Sequence, residues 1–360
     1  MKIQTEPIGS IPRPVELLIG IKAHAAGQLD DKSLQQLFDA AIADTIKRFE
    51  ATGSPVITDG EQTKPSFATY PIHGMQKLSP DGVVIPFADG HTRQLAKITV
   101  GPFRYQIHAD TYLQKAKQLT SLPVKQAVIS ASALSLLYPG EGIEGYSREQ
   151  FINDLINEAE ADIRRSLDKG AYNVQIDFTE ARLSLKLDPS GGLLQSFIDL
   201  NNQVLGRFTE EERKRIGVHS CPGGDRDSTH SADISYSALL PLLFQMNAGN
   251  FYLEYAAEKD KKSVLQSIRQ HIKPGQRVFL GVTNVLDPKI ETPDQIRDLI
   301  LQAAEIIPVE QLGTTDDCGF SPFADDTSTA RDIAFEKIKN RVEGTKLAET
   351  ALSKTSVFVN

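Results

Sequence analysis

The feature that most limits the possible folds is a regular alternation of short apolar runs with longer amphipathic segments. Continuous apolar runs of this kind are typical of parallel strands that helices cover. Eight strand–helix units predict a (β/α)8 (TIM) barrel, and a doubly wound sheet is the alternative. The eight runs cover residues 5–10, 55–61, 124–133, 173–178, 216–221, 250–255, 278–283 and 311–317.

Three of the segments between these runs carry clear helix signals. Residues 31–53 repeat apolar side chains at helical spacing and end at a glycine. In residues 147–170, Ser147 and Gln150 have the spacing of a capping box, and an apolar stripe follows. Another capping pattern begins at Thr292 and predicts a third helix.

Residues 62–122 are about twice as long as the other connections and contain two turn sequences rich in glycine and aspartate. We interpret them as an insertion after the second strand, with a β-hairpin and a helix at 109–119. Such an insertion often forms a lid or a substrate wall. No repeat or linker divides the chain, so a single catalytic domain over residues 1–360 is predicted.

The charge balance excludes several classes of partner. The net charge is −8 and the isoelectric point is about 5.5, which gives no electrostatic basis for binding nucleic acid or an anionic membrane. The first residues lack the apolar core of a signal peptide, and no apolar stretch is long enough to span a bilayer. We therefore expect a cytoplasmic enzyme.

Polar residues collect where the predicted strands end. In a barrel these ends share one rim, where the active sites of this fold lie. One acid at a strand end would usually cap the next helix, but five strands that end in an acid, a thiol or an imidazole, besides Ser10 after the first strand, are harder to explain in that way. The residues are Ser10, Asp59, Glu61, Asp177, Glu180, His219, Cys221, Glu254, Asp316, Asp317 and Cys318.

His219 and Cys221 form the sharpest local motif. Side chains two residues apart on a strand point the same way, and sulfur with imidazole is a donor set that suits zinc. The second cysteine, Cys318, follows the eighth strand, and Glu254 offers an oxygen ligand beside it. The alternative is that both cysteines are buried thiols that pack as small apolar side chains.

Several short motifs occur in order across nearly the whole chain, and together they are specific. With them the sequence resembles the C-terminal catalytic domain of cobalamin-independent methionine synthase, and more closely the short stand-alone proteins of that superfamily. The motifs lie at residues 8–13, 59–61, 174–177, 218–221, 251–255, 281–282 and 317–320.

This resemblance implies methyl transfer to the thiol of homocysteine, with a methylfolate as the methyl donor. It implies a zinc ion whose ligands would be His219, Cys221, Glu254 and Cys318. It also implies a site for the amino acid end of homocysteine, formed by Ser10, Glu61 and Asp177. The chemistry is consistent, because a free thiol has a pKa of about 8.5 and zinc deprotonates a thiol that it binds. A labile Glu254 could leave to admit the substrate sulfur.

Two departures from the family pattern concern the methyl donor. Leu286 stands where the family usually has a histidine that protonates the folate, and the chain has no tryptophan to stack on a pterin. Another methyl carrier is therefore an alternative donor. Asp287 and His230 are the candidates for supplying the proton to the leaving group.

Other basic residues near the strand ends have two interpretations each. Residues 222–230 form either a simple connecting loop or a rim loop that offers Arg226 to an anionic group of the second substrate. For Lys64 and Arg13, a solvated surface position is at least as probable as a role in the site.

Three other functions compete with homocysteine methylation. The first is alkylation of a different thiol, as in epoxyalkane–coenzyme M transferases of the same superfamily. The second is a metal-free barrel like uroporphyrinogen decarboxylase, which predicts no cluster of thiols. The third is a structural zinc site, which usually has four cysteine or histidine ligands close together in sequence.

Overall fold

The computed structural model describes residues 2–357 and has an α/β architecture. Within these residues, seven strands form one parallel sheet, and three short antiparallel pairs lie outside it. The strands are β1 (Gln4–Thr5), β2 (Leu78–Ser79), β3 (Val84–Pro86), β4 (Thr92–Gln94), β5 (Lys97–Ile98), β6 (Gln126–Ile129), β7 (Val174–Asp177), β8 (Ile216–Ser220), β9 (Gly224–Asp225), β10 (Ser228–Thr229), β11 (Asn250–Leu253), β12 (Arg277–Gly281) and β13 (Leu312–Thr315).

Helices separate the strands of the parallel sheet along the chain. Short 3-10 turns occur at Tyr70–Ile72 and Val309–Gln311. The α-helices are α1 (Val15–Ala25), α2 (Asp31–Ala51), α3 (Asp110–Lys117), α4 (Ala131–Ser135), α5 (Arg148–Asp168), α6 (Glu180–Leu187), α7 (Gly192–Leu205), α8 (Glu210–Arg213), α9 (Tyr236–Leu243), α10 (Lys261–His271), α11 (Pro293–Ala304) and α12 (Arg331–Val357).

The parallel sheet is curled, with the order β1-β13-β12-β11-β8-β7-β6. The first strand of the chain pairs with the last one, and the segment around Ile57 lies between the two edges. Ile57 forms an isolated parallel bridge with Val124, next to β6. On the other side, the amide of Ile11 donates to the carbonyl of Gly60 at 3.0 Å. The predicted parallel α/β class is confirmed.

The second predicted strand, residues 55–61, is where the structure differs from the sequence-based expectation. It forms only the bridge at Ile57, because its end leaves the extended conformation: φ is +68° at Gly60 and +56° at Glu61. A non-glycine residue rarely adopts such a positive φ. The other seven predicted strands are present and each is shorter than predicted, although β1 and β12 begin one residue earlier.

The helix boundaries follow the local capping signals. The side chain of Ser147 accepts from the amide of Gln150, and Gln150 caps Ser147 in return, as the sequence predicted. Thr292 opens α11 with the same reciprocal arrangement. The helix predicted at 31–53 is α2, where Asp30 accepts from the amide of Ser33 at 2.7 Å. Each cap satisfies amide groups that the first turn leaves unpaired.

Charged residues are buried inside the curled sheet as well as apolar ones. Glu6 is fully buried and accepts from Asn173 at 2.8 Å and from the hydroxyl of Tyr252 at 2.7 Å. The ammonium of Lys125 lies 3.8 Å from the same carboxylate. Burial raises the pKa of Glu6 and lowers that of Lys125 to about 8. Partners on several strands compensate the loss of hydration.

The long segment at 62–122 contains two antiparallel strand pairs, β2 with β5 and β3 with β4, and then helix α3. Asp162 of α5 anchors both ends of this segment. One carboxylate oxygen accepts from the hydroxyl of Tyr70, and the other accepts from the amide of Ala109 at 2.6 Å. A single buried side chain therefore ties the segment to the helical layer.

None of the helices within residues 2–357 has both the length and the apolar composition required to cross a lipid bilayer.

Replacing Asp162 by alanine should loosen the 62–122 segment, because two buried donors lose their acceptor. We expect the free energy of unfolding to fall by about 2–4 kcal/mol. Denaturant titration would measure this. Asp168→Ala, at an exposed position of the same helix, is the matched control and should change stability by no more than about 0.5 kcal/mol. Equal effects of the two variants would contradict the anchoring role.

Candidate metal centre and substrate pocket

A small pocket lies at the carboxyl ends of the parallel strands. Asp177 comes from the end of β7, and His219 comes from β8. Ser10 follows β1, and Cys318 follows β13. Glu61 comes from the segment between the two edges of the sheet. The structure therefore brings five of the residues singled out in the sequence to one pocket.

His219, Cys221 and Cys318 form the tightest cluster of this site. Their ligand atoms all lie within 4.8 Å of one another, and the two sulfur atoms are 3.0 Å apart. The Nδ1 atom of His219 lies 3.1 Å from the carbonyl oxygen of Tyr252. Its Nε2 atom is buried and has no hydrogen-bond partner among the residues that the structure describes.

The two sulfur atoms are within hydrogen-bonding distance of each other. Their hydrogen bond lowers the pKa of Cys318 well below its ordinary value and raises the pKa of Cys221 well above it. The amide of Gly223 also donates to the sulfur of Cys221 at 3.4 Å. The more acidic of the two thiols, Cys318, therefore lies within reach of the imidazole of His219.

These three residues fit a zinc ion. Two sulfurs and one imidazole nitrogen are donors that zinc prefers, and the unpartnered Nε2 of His219 is available as the third ligand atom. The carbonyl of Tyr252 holds the other ring nitrogen, as backbone carbonyls commonly do for histidine ligands of metals.

Glu254, the fourth predicted ligand, lies outside this cluster. It directly follows β11 and is buried, and its carboxylate forms an ion pair with Arg182 at 3.2 Å. Its carboxylate also interacts electrostatically with both cysteines. The structure therefore groups three of the four predicted ligands. The fourth, Glu254, is paired with Arg182 instead. No motif in the sequence points to Arg182.

Ser10 is fixed at the pocket wall by the chain that follows Cys318. The amide of Ser321 donates to the hydroxyl oxygen of Ser10 at 3.2 Å. Gly319 approaches so closely that a Cβ atom there would lie 2.2 Å from the same oxygen. Any side chain at this position would displace the hydroxyl, so the glycine leaves the space that the hydroxyl occupies.

Glu61 is held by two buried cations. The ammonium of Lys64 lies 2.8 Å from its carboxylate, and the guanidinium of Arg13 donates to its backbone carbonyl at 2.8 Å. Arg13 also donates to the carbonyl of Lys64 at 2.7 Å. The alternative of a solvated surface position is therefore wrong for Lys64 and Arg13, which are 1% and 4% exposed.

Asp177 ends a chain of hydrogen bonds that begins in the charged core. Lys125 donates to the side-chain oxygen of Gln175 at 2.7 Å, and the amide nitrogen of Gln175 donates to Asp177 at 2.7 Å. Burial raises the pKa of Asp177 to about 6. Gln175 also lines the pocket. The sequence could have indicated it, because residues two apart on a strand share a face.

The two candidates for the catalytic acid lie outside the pocket lining. His230 packs against Gly223, where a Cβ atom would lie 1.7 Å from its Nε2. Burial, helped by Lys186 and Arg182, lowers the pKa of His230 to about 4. Asp287 is exposed and borders a separate surface depression. Both assignments stay predictions.

Leu286 stands beside the pocket wall. A Cβ atom on Gly224, which lines the pocket, would lie 3.6 Å from a methyl group of Leu286. This side chain offers no proton, so the wall at this point is apolar.

A pair of arginines joins the loops that follow the two cysteines. Arg226 is half-exposed and pairs with Asp325 at 3.0 Å, so its guanidinium is already partnered. Arg93, in the β3–β4 hairpin, donates to Asp225 at 2.5 Å and to Asp325 at 2.9 Å. Asp225 lies after Cys221, and Asp325 lies after Cys318. No local sequence pattern indicates this contact, since it joins residues far apart in the chain.

Glu180 forms a second buried polar cluster at the strand ends. The hydroxyl groups of Ser130 and Ser132 both donate to its Oε1 atom. Its Oε2 atom is buried and has no partner within the described part of the chain. Burial raises the pKa of this carboxyl group to about 7.

A family model described as "Cobalamin-independent synthase, Catalytic domain" matches residues 3–346. A protein named methionine synthase from Sulfurisphaera tokodaii is 21% identical, over 97% of this chain and 94% of that protein. A 5-methyltetrahydropteroyltriglutamate–homocysteine methyltransferase from Vibrio vulnificus is 24% identical, over 88% of this chain and 39% of that protein.

Two solved structures share the fold. A B12-independent methionine synthase from Shewanella sp. W3-18-1, in complex with selenomethionine, superposes with a TM-score of 0.75 at 17% identity. The match covers 98% of this chain and 100% of that one. A putative vitamin-B12 independent methionine synthase from Listeria monocytogenes has a TM-score of 0.70 at 21% identity, over 96% and 98% of the two chains.

The raised pKa of Glu180 predicts a pH-dependent contribution to stability. Burial raises this pKa from 4.5 to about 7, so between these values the folded chain binds more protons than the unfolded one. The stabilisation that results is fully present below pH 4.5, the pKa of Glu180 in the unfolded chain. It is lost as the pH rises through about 7, the pKa of Glu180 in the folded chain. Relative to Glu180→Gln, the wild-type free energy of unfolding should fall by about 2–3 kcal/mol between about pH 5 and pH 8.

Denaturant titrations of both proteins at the two pH values would measure the difference. Glu305→Gln, at an exposed position, is the control and should show a difference that hardly changes with pH. The same absence of pH dependence in Glu180→Gln would show that the folded-state pKa is not raised.

Proposed function

We propose that this chain, which belongs to the family of the cobalamin-independent synthase catalytic domain, methylates the thiol of homocysteine to form methionine. The resemblance to this family is confirmed by the match over residues 3–346. The observation that carries the proposal is the cluster of His219, Cys221 and Cys318, two of which line the same pocket as Glu61 and Asp177. Relatives named methionine synthase support it, since they match over nearly the whole chain.

We propose that His219, Cys221 and Cys318 hold a zinc ion, with Glu254 as a fourth, exchangeable ligand. Zinc, when bound, would lower the pKa of the substrate thiol and so supply a thiolate at neutral pH. His219 lies on β8, Cys221 directly follows the same strand, and Cys318 follows β13, so the parallel sheet positions all three. Glu254 has an alternative partner in Arg182, which supports its role as the ligand that leaves.

The other wall of the pocket is suited to the amino acid end of homocysteine. We propose that the carboxylates of Glu61 and Asp177 bind the substrate ammonium group and that the hydroxyl of Ser10 orients it. This acidic wall also favours homocysteine over the alternative class of thiol. A thiol with an anionic end, such as coenzyme M, would be repelled by two carboxylates in a buried site.

For the methyl donor we propose a methylated folate, with another methyl carrier as the alternative. Thr179 and Phe67 also line the pocket and would face the incoming donor. Leu286 at the wall cannot protonate the leaving group. His230 and Asp287 would each have to rearrange in order to reach it, because both lie outside the pocket lining.

We further propose that residues 55–61 take the place of an eighth strand and close the sheet into a (β/α)8 barrel. The bridge at Ile57 and the hydrogen bond from the hydroxyl of Thr58 to the carbonyl of Gly9, 2.8 Å long, support this. On this view residues 1–360 form one catalytic domain, and the 62–122 insertion supplies a wall of the pocket through Phe67. The need for two reduced thiols favours the cytoplasm.

The zinc proposal predicts about one zinc ion per purified chain. Cys221→Ser and Cys318→Ser should each lose most of it, because a serine hydroxyl stays protonated where a thiol ionises. Metal analysis after gel filtration would measure the content. Ser220→Ala is the matched control and should keep its zinc. Side chains alternate along a strand, so Ser220 faces the opposite side from His219 and Cys221. Freshly purified wild-type chain without metal would contradict the proposal.

Binding of homocysteine should add a sulfur neighbour to the zinc, which X-ray absorption at the zinc edge would detect. We expect Asp177→Asn to require about tenfold more homocysteine for the same change, because a buried charged contact with the ammonium is lost. Coenzyme M should leave the wild-type spectrum unchanged. If coenzyme M alters the spectrum and homocysteine does not, the homocysteine assignment is wrong.

A further inference from the structure

Glu254 has a fixed backbone and a side chain with two possible partners. The carboxylate of Asp317, the neighbour of Cys318, accepts from the amides that follow Glu254. Those amides belong to Tyr255, Ala256 and Ala257, at distances of 2.8, 2.9 and 2.8 Å. The backbone at Glu254 is therefore held relative to Cys318, and rotation of its side chain alone would move the carboxylate.

Arg182 is the partner of the Glu254 carboxylate in the conformation that the structure shows. It lies on α6, its side chain is 3% exposed, and its Nη1 atom lies 3.2 Å from the carboxylate of Glu254. Three further contacts hold the guanidinium independently of Glu254. They are the carbonyl of Ile234 at 2.8 Å, the carbonyl of Ala232 at 3.3 Å and the carboxylate of Glu258 at 2.8 Å.

This arrangement makes Arg182 a permanent cation beside a carboxylate that can leave it. If Glu254 turned toward His219 and the cysteines, Glu258 would still neutralise Arg182. When the carboxylate of Glu254 leaves the cluster, the buried guanidinium of Arg182 is already positioned to donate to it. A buried carboxylate without such a partner would be costly.

We infer that Arg182 receives the carboxylate of Glu254 when the substrate thiol replaces it in the cation site, so that Arg182 is a positioning residue for ligand exchange. The inference rests on the proposed function. In the exchange Glu254 leaves with its electron pair and accepts hydrogen bonds from Arg182. The thiol gives its proton to solvent and enters as a thiolate, so one anion replaces another and the charge of the cation site does not change.

The test uses the full chain loaded with Co²⁺, whose visible absorption changes when a sulfur ligand is added. Titration with homocysteine then gives a Kd without any measurement of activity. In Arg182→Gln the displaced Glu254 loses its charged partner, so we expect the Kd for homocysteine to rise about tenfold. Arg182→Lys keeps a charge without the planar fork and should raise it by about threefold.

Glu258→Gln is the matched control. It changes the other acid that contacts the same nitrogen of Arg182 and leaves the contact with Glu254 in place. Because Glu258 neutralises Arg182 while Glu254 is away from it, we expect the Kd for homocysteine in this variant to stay within about twofold of the wild-type value or to fall, and not to rise as in Arg182→Gln.

A double-mutant cycle separates positioning from a general structural role. In a Glu254→Gln background the carboxylate is gone, so adding Arg182→Gln should change the Kd for homocysteine by less than about twofold. A purely structural Arg182 would produce the same loss in both backgrounds. Thermal unfolding of each variant checks that it folds, and Arg182→Lys replaces Arg182→Gln in the cycle if the glutamine variant does not.

Each outcome decides the inference. An unchanged Kd in the Arg182 variants, or a loss that persists when Glu254 is absent, overturns it and leaves the proposed function standing. Failure of the wild-type chain to take up Co²⁺ or Zn²⁺ overturns both.

Discussion

The site depends on the convergence of two thiols and one imidazole at the carboxyl ends of β8 and β13, which the curl of the parallel sheet brings together. His219 pairs in register with Tyr252 on β11, and the carbonyl of that residue fixes the histidine ring. The sulfur atoms of Cys221 and Cys318 meet at 3.0 Å although 97 positions separate them in the chain. The curled sheet fixes this separation, so the fold prepares the cluster before any ligand binds.

Polar groups inside the curled sheet also hold the proposed substrate-binding residue Asp177 in place. Glu6 and Lys125 lie in the core, and Gln175 connects Lys125 to Asp177. A rotation of Asp177 would break a buried hydrogen bond in this chain of contacts, which makes the carboxylate rigid. We therefore see the buried charges as a support that orients the proposed ammonium site, at a cost in hydration that their mutual contacts offset.

The loops above the pocket are coupled in a similar way. Arg93 from the inserted hairpin contacts Asp225 and Asp325, so it joins the loops that follow Cys221 and Cys318. The insertion itself is anchored at Asp162. The proposed ligand loops are thus tied to each other and to the helical layer, whereas the side chain of Glu254 is held by its ion pair with Arg182. The contacts of Arg93 and Asp162 therefore restrict the motion of these loops and of the insertion.

The sequence by itself determined the family, the parallel α/β class, the helix caps and the strand ends that carry Cys221 and Cys318. These follow from local periodicity and short motifs, which a chain carries whatever its tertiary contacts are. Only the tertiary structure decided that residues 55–61 reduce to a single bridge, that Lys64 is buried against Glu61, and that Glu254 rests on Arg182. Each of these depends on the burial and pairing of charges that the folded chain brings together, and no local pattern encodes such contacts.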